Sequence, residues 1–269
     1  MMTWLKKGLS GGAIKLLATV LMVFDHVHQM FVQFGAPGWL KWLGRPVAPI
    51  FLFMCAEGMA HTRNRKRYLL QLLIGFEAMN ILSFCLGRLM PSEAVLMNSI
   101  FGTLFLTGLY IAAADLLAAG IKAKKWGKAA LAVLIMLAPV LSSAVVLVTM
   151  SNETLVTAAP WLVYIVFAIP SFISTEGGFL FPLLGLAFYL LRNYRWARLL
   201  PLAAFSAFCF AMGDWLEGLS VFAVPILLLY NGEKGESKHF FQKKYFFYAF
   251  YPGHIYFLYI LAWLVANLR

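Results

Sequence analysis

Charged residues are scarce in this chain. Only 12% of its 269 residues are Asp, Glu, Lys or Arg, against about 25% in soluble domains. No stretch is polar enough, or long enough, to form a separate soluble domain. Acidic residues are scarcer still, 11 against 22 Lys and Arg, which leaves a net charge of +11. The three cysteines, Cys55, Cys85 and Cys209, lie singly in apolar segments without the spacing of a metal site. There is no Walker loop, no dinucleotide-binding glycine pattern, no Gly-x-Ser-x-Gly elbow and no His-Glu-x-x-His helix. Internal repeats and low-complexity segments are absent too. Together these absences exclude a soluble enzyme tethered by an anchor, and they leave no metal site to expect.

What is present is apolar. The chain is 62% hydrophobic, with a mean hydropathy of +0.81, the composition of a polytopic membrane protein. Lipid requires every backbone group to be paired internally, so the spanning structure is a helix bundle or a closed barrel. A barrel would alternate over segments of about ten residues, whereas these apolar runs are longer and continuous. The expected fold is therefore all-α, a transmembrane helix bundle forming one domain over 1–269. At about 20 residues per crossing, candidate spans are 12–34, 46–61, 68–88, 97–120, 129–149, 155–173, 178–191, 199–213, 216–230 and 245–267.

Basic residues cluster between the spans: Arg63, Arg65, Lys66 and Arg67; Lys122, Lys124, Lys125 and Lys128; Arg192, Arg195 and Arg198; and the run from Lys234 to Lys244. On a soluble chain such charge would suggest nucleic acid. Here it follows the positive-inside rule of a bacterial inner membrane, and no nucleic acid is expected. With Lys6, Lys7 and Lys15 cytoplasmic, keeping every basic loop on that side requires one candidate span to be lost. The weak member is 155–173, which carries Pro160 and Pro170 and follows the polar Ser151–Thr154. A re-entrant or interfacial segment there gives nine crossings; a full span gives ten, with one basic loop outside. Met1–Lys7 resembles the start of a signal peptide. No small-residue cleavage site precedes Asp25, so a retained first span is expected.

Ionisable side chains inside spans are costly and usually have partners. Asp25, His26 and His28 lie within the first span. At about 100° per residue, Asp25 and His28 share a face and can pair, while His26 points elsewhere. His26 is then either a cap on a neighbouring carbonyl or a general base with a partner from another helix. His26 and His28 are two apart and nearly opposite, which does not suit a zinc pair. Arg45 enters the second span and Glu57 lies twelve residues deeper, roughly 18 Å along a helix. They cannot pair with each other, but Glu57 and His61 can. Arg45 could instead be an interfacial anchor. His254 follows Pro252, expected to break the last helix and free a backbone acceptor. Glu77, Asn80, Asp115, Asp214 and Glu217 read as structural polar residues.

The order of these stretches resembles the TraX family of membrane acetyltransferases, named for the enzyme that N-acetylates F-type conjugative pilin. The matching pieces are Asp25-His26, then Gly44-Arg45 with Pro49-Ile-Phe and Glu57-Gly58. Next come Pro225-Ile-Leu-Leu-Leu-Tyr-Asn-Gly232 with Gly235, and last Lys244-Tyr, Phe247-Tyr248, Phe250-Tyr-Pro252 and His254. Glu176-Gly-Gly to Leu191-Arg192 looks like the family's short span ending in a basic loop. The arginine-then-Pro-x-Phe pattern is also similar to the wider acyltransferase-3 group. The resemblance implies acetyl-CoA as donor and a peptide, lipid or sugar amine or hydroxyl as acceptor. It implies His26 as base or transient acyl carrier, with His254 as second base or orienter. Arg45 would be an electrostatic stabiliser or acceptor clamp, Asp25 part of the catalytic group, and Glu57 a group that sets a histidine's tautomer. Arg63, Arg65, Arg67, Lys243, Lys244, Tyr230, Asn231 and Tyr251 would contact the CoA thioester. The competing reading is a proton-coupled transporter or flippase with a buried His/carboxylate site.

Overall fold

The computed structural model describes residues 8–92, 94, 96, 99–235 and 244–268, without the side chains of Pro160, Lys244 and Tyr245. Lys6, Lys7 and Lys243 lie outside the described residues. Every regular element among those described is helical. Six helices are long and apolar enough to cross a membrane: Gly11–Phe34, Trp39–His61, Arg65–Leu89, Ile100–Lys122, Trp126–Ser151 and Phe246–Asn267. Three shorter apolar helices, Leu180–Leu190, Ala197–Ala211 and Trp215–Leu228, accompany them. The nine or ten expected spans thus resolve into six of membrane length and three that are short. The protein is a multi-pass membrane protein.

The chain divides into two compact units. The first comprises Met1–Met54, Gly87–Leu96 and Leu191–Arg269, and the second Cys55–Leu86 and Met97–Leu190. In the first unit, helix α1 (Gly11–Phe31) packs on α2 (Trp39–Gly44) and on the last helix, α13 (Lys244–Asn267). The N-terminus of α1 is closed by the loop after Tyr230. A helix leaves its first N–H groups without intrahelical partners. Here Gly11 N donates to Glu233 O (2.8 Å) and Gly12 N to Lys234 O (3.1 Å), while Ala13 N donates to Ser10 Oγ (3.3 Å). Asn231 Oδ1 accepts from Glu233 N at 2.9 Å and shapes the turn. Gly235 has φ 84°, and a Cβ there would lie 2.5 Å from Ser10 Oγ, so only glycine fits. The Tyr-Asn-Gly-Glu-Lys-Gly motif is thus a helix cap.

The second unit takes in α3 (Val47–His61) and α4 (Arg65–Leu89) from Cys55 to Leu86, with α5 (Ile100–Lys122) and α6 (Trp126–Ser151). It then takes α7 (Glu153–Ala158), α8 (Pro160–Ala168) and α9 (Leu180–Leu190). The segment 155–173 is no membrane-length helix. Pro160 opens α8, which runs nine residues, roughly 14 Å. The irregular stretch after it satisfies its backbone with hydroxyls. Ser171 and Ser174 bond reciprocally, each backbone N to the other's Oγ (2.9 and 3.0 Å). Phe172 N donates to Ser143 Oγ (3.0 Å), and Thr103 Oγ1 donates to Glu176 O (2.8 Å). Non-helical backbone survives in a membrane protein when protein groups pair it. In the same unit Arg65 donates to Asp115 Oδ2 (2.5 Å), Tyr189 Oη (2.9 Å) and Met59 O (3.0 Å).

Ser171 is fully buried, so its hydroxyl has no water to fall back on. Ser171→Ala is expected to cost about 1–3 kcal/mol, read as a lower Tm in detergent. Ser151→Ala, at an exposed helix end, should leave the Tm unchanged.

Candidate active site

Two neighbouring residues of α1 serve two different partners. Asp25 and His26 are about 100° apart on the helix, so Asp25 meets the corner between α2 and α3 while His26 meets α13. The corner comes close because α2 ends in Gly44. A Cβ at Gly44 would collide with the Asp25 side chain. That approach brings Arg45 within reach, and its guanidinium forks. One nitrogen donates to Asp25 Oδ1 at 2.8 Å, the other to Glu217 Oε1 at 2.6 Å. Nε donates to Lys41 O at 3.3 Å. The side chains are 17% (Arg45), 22% (Asp25) and 30% (Glu217) exposed. Glu217 is held in turn by α11 (Trp215–Gly218), whose N-cap Asp214 accepts from Glu217 N at 3.0 Å. Ser220 Oγ donates to Arg45 O at 3.4 Å.

The expected Asp25–His28 pair is not formed. Asp25 is taken by the stronger, permanently charged partner, and His28 Nδ1 is buried without a hydrogen-bond partner among the described residues. The expected break at Pro252 is absent too. Helix α13 runs through it, as transmembrane helices can when neighbours re-satisfy the freed groups. Glu57 lies in the second unit. It pairs as expected with His61, at 4.0 Å from His61 Nδ1, and His61 also bonds the Glu57 carbonyl at 2.9 Å.

His26 and His254 touch. Their Nδ1 and Nε2 atoms lie 3.0 Å apart, with ring centroids at 4.9 Å. The tautomers follow from the acceptors around them. His254 Nδ1 faces the Phe250 carbonyl at 2.8 Å. A carbonyl only accepts, so Nδ1 carries the proton, and Nε2 of the neutral ring is a lone pair. His26 Nδ1 must therefore donate to it. The remaining lone pair of the dyad is on His26 Nε2. Phe250 stacks on His254 at 4.9 Å and 16°, and Tyr251 sits edge-on to His26 at 6.1 Å. Both fix the rings by packing. One imidazole lone pair, held by a second imidazole, is the chemistry of a general base or nucleophile.

A family model described as TraX protein matches residues 10–143 and 117–262. The chain belongs to the TraX family. Asp25, His26, Arg45, Glu217 and His254 all fall inside the matched stretches of this TraX protein. No curated protein and no solved structure matches it.

Of the expected donor contacts, Arg65 is committed to Asp115, Tyr189 and Met59, while Arg63 and Arg67 are exposed. Tyr230 is buried edge-on to Phe53 at 5.6 Å, and the Asn231 side chain shapes the loop that caps α1. Lys243 and the Lys244 side chain lie outside the described residues. Glu217 is the site residue that sequence reading missed. Asp214-x-x-Glu217 has the form of a capping box, and its backbone half is one. The carboxylate instead reaches back across 172 positions to Arg45, which no local pattern signals.

Removing one member of a half-buried ion cluster strands the others, at about 1–3 kcal/mol. Arg45→Ala should therefore destabilise strongly, because Asp25 and Glu217 lose their shared cation. In a double-mutant cycle, Arg45→Ala with Glu217→Ala should show a coupling of about 0.5–3 kcal/mol in denaturant unfolding. A coupling of zero would mean that the fork contributes nothing.

Proposed function

We propose that this TraX protein is an acetyltransferase of the bacterial inner membrane. It moves an acetyl group from cytoplasmic acetyl-CoA to an amine or hydroxyl of a peptide, lipid or sugar acceptor, a pilin-like peptide N-terminus being the family's example. The observation that carries this reading is the His26–His254 contact, Nδ1 to Nε2 at 3.0 Å, which leaves His26 Nε2 as the remaining lone pair of the dyad. In the proposal His26 Nε2 takes the proton from the acceptor as the acceptor atom attacks the thioester carbonyl. The carbon–sulfur bond then breaks, CoA leaves as the thiolate, and the His26 proton returns to it. When His26 becomes a cation, its Nδ1–H bond to His254 strengthens. His254 is the orienter rather than a second base, since both its nitrogens are already engaged.

Arg45 is likewise engaged on both arms. Its part is to hold Asp25, and with it the His26 turn of α1, against the α2–α3 corner. The negative charge of the donor's phosphates suits a basic surface. A continuous α13 weighs against the transporter reading, which drew on a helix broken at Pro252.

Purified protein is given acetyl-CoA and a panel of peptide N-termini, lipid amines and sugars, and thiol release and acetylated product are measured. His26→Ala should lower transfer by about 10²–10⁴-fold while the protein stays folded. His254→Gln, which keeps an acceptor near Nε2, should retain more activity than His254→Ala. Near-normal turnover in His26→Ala would sink the assignment. An acetyl group trapped on His26 after acid quench would mark a covalent route, and its absence direct transfer.

A further inference from the structure

The turn between α5 and α6 has a residue in an unsuitable place. The last turn of α5 closes with Lys125 N donating to Gly120 O (2.8 Å) and Lys124 N to Ile121 O (3.0 Å). This is a helix stop in which the residue after the cap turns left-handed, a position normally filled by glycine or asparagine. Here it is Lys124, at φ 55°, the one positive-φ residue other than glycine among those described. A side chain with a Cβ is strained there. The strain is kept although glycine would remove it, and what glycine would also remove is a positive charge.

That charge belongs to a group. Lys122, Lys124, Lys125 and Lys128 lie within seven residues, and positions 121–128 are all exposed. None of the four has an ion-pair partner among the described residues. The sequence holds no Asp or Glu between Asp115 and Glu153. Lys125 and Lys128 stand at the cap and in the first turn of α6, which holds no acidic residue. The helix dipole opposes cations there. The four lysines therefore repel one another, Lys125 and Lys128 also oppose the α6 dipole, and the turn is built on a strained residue; Lys122 stands in the last turn of α5, where the dipole favours a cation. A bound anion relieves the electrostatic costs.

Position says which anion. Helices α5 and α6 have 23 and 26 residues, about 35 and 39 Å long, against a hydrocarbon core of about 30 Å. Both overrun the core, so the turn that joins them stands at headgroup depth. Trp126, 70% exposed beside the lysines, is a residue type enriched at that depth. We infer that the α5–α6 turn is a binding site for anionic phospholipid, with Lys122, Lys124, Lys125 and Lys128 on the headgroup phosphate and Trp126 in the interface. This site is independent of the histidine dyad and of the acetyl-transfer reading.

The test uses the full chain in nanodiscs of phosphatidylcholine mixed with phosphatidylglycerol. Retained lipid is counted by native mass spectrometry, and the Tm is recorded after delipidation and after each lipid is returned. The wild type should retain phosphatidylglycerol preferentially and gain Tm from it. Lys124→Gly separates charge from fold, because glycine suits the backbone. Its delipidated Tm should hold or rise while its affinity for phosphatidylglycerol falls about fivefold, as expected for one interfacial lysine. Lys→Gln at all four positions should abolish the preference. An unchanged preference in both variants overturns the inference. It is overturned equally if CoA, and not phosphatidylglycerol, raises the wild-type Tm in a way the four-fold variant loses, for the patch would then serve a soluble phosphate ligand.

Discussion

The guanidinium of Arg45 bonds two carboxylates that belong to separate parts of the chain. One sits on the first helix and one on a short helix near residue 217. In a lipid-facing protein there is little hydrophobic difference between helix–helix and helix–lipid contact, so polar contacts and close packing decide which helices meet. The fork supplies the polar contact, and Gly44 supplies the close packing by leaving room for the Asp25 side chain. Once Asp25 is held, the rotation of α1 about its axis is set. The direction in which His26 leaves the helix is then set as well. The histidine dyad thus depends on an ion cluster that need not itself touch a substrate.

The dyad has an internal logic of its own. The Phe250 carbonyl determines where its protons reside, and the stacked Phe250 and edge-on Tyr251 keep the rings from rotating. A His–carboxylate pair would place a permanent charge beside the base. A His–His pair in the same geometry leaves the resting site neutral, which suits a site within membrane-length helices.

Several features were legible in the residues alone. Composition sufficed for an all-helical membrane bundle, and the offset between positions 25 and 26 on a helix was enough to separate their partners. The prolines at 160 and 170 marked one segment that is not a membrane-length helix, whereas the shortness of Leu180–Leu190, Ala197–Ala211 and Trp215–Leu228 went unmarked. Other features were hidden because their causes are distant in sequence. Nothing near Glu217 announces that it serves an arginine 172 positions away. The Asn-Gly-Glu-Lys-Gly run looks like a ligand loop, but Gly232 is there for its positive φ, and Gly235 for its positive φ and the close approach of the Ser10 side chain that opens the first helix. His28 looked like the natural partner of Asp25 by spacing. A guanidinium from another segment displaced it, since a permanently charged donor makes the stronger hydrogen bond to a carboxylate.

Nearly everything that completes α1 is encoded late. Its N-terminal N–H groups bond residues 233 and 234, its carboxylate shares Arg45 with residue 217, and its imidazole meets residue 254. Synthesis runs from the N-terminus, so α1 precedes these partners into the bilayer. Until residue 217 is made Arg45 has one carboxylate instead of two, and until residues 233 and 234 are made two N–H groups of α1 lack their partners. A polypeptide cut short anywhere before residue 254 can never assemble the histidine pair, because one of the two rings is encoded almost at the end of the described chain.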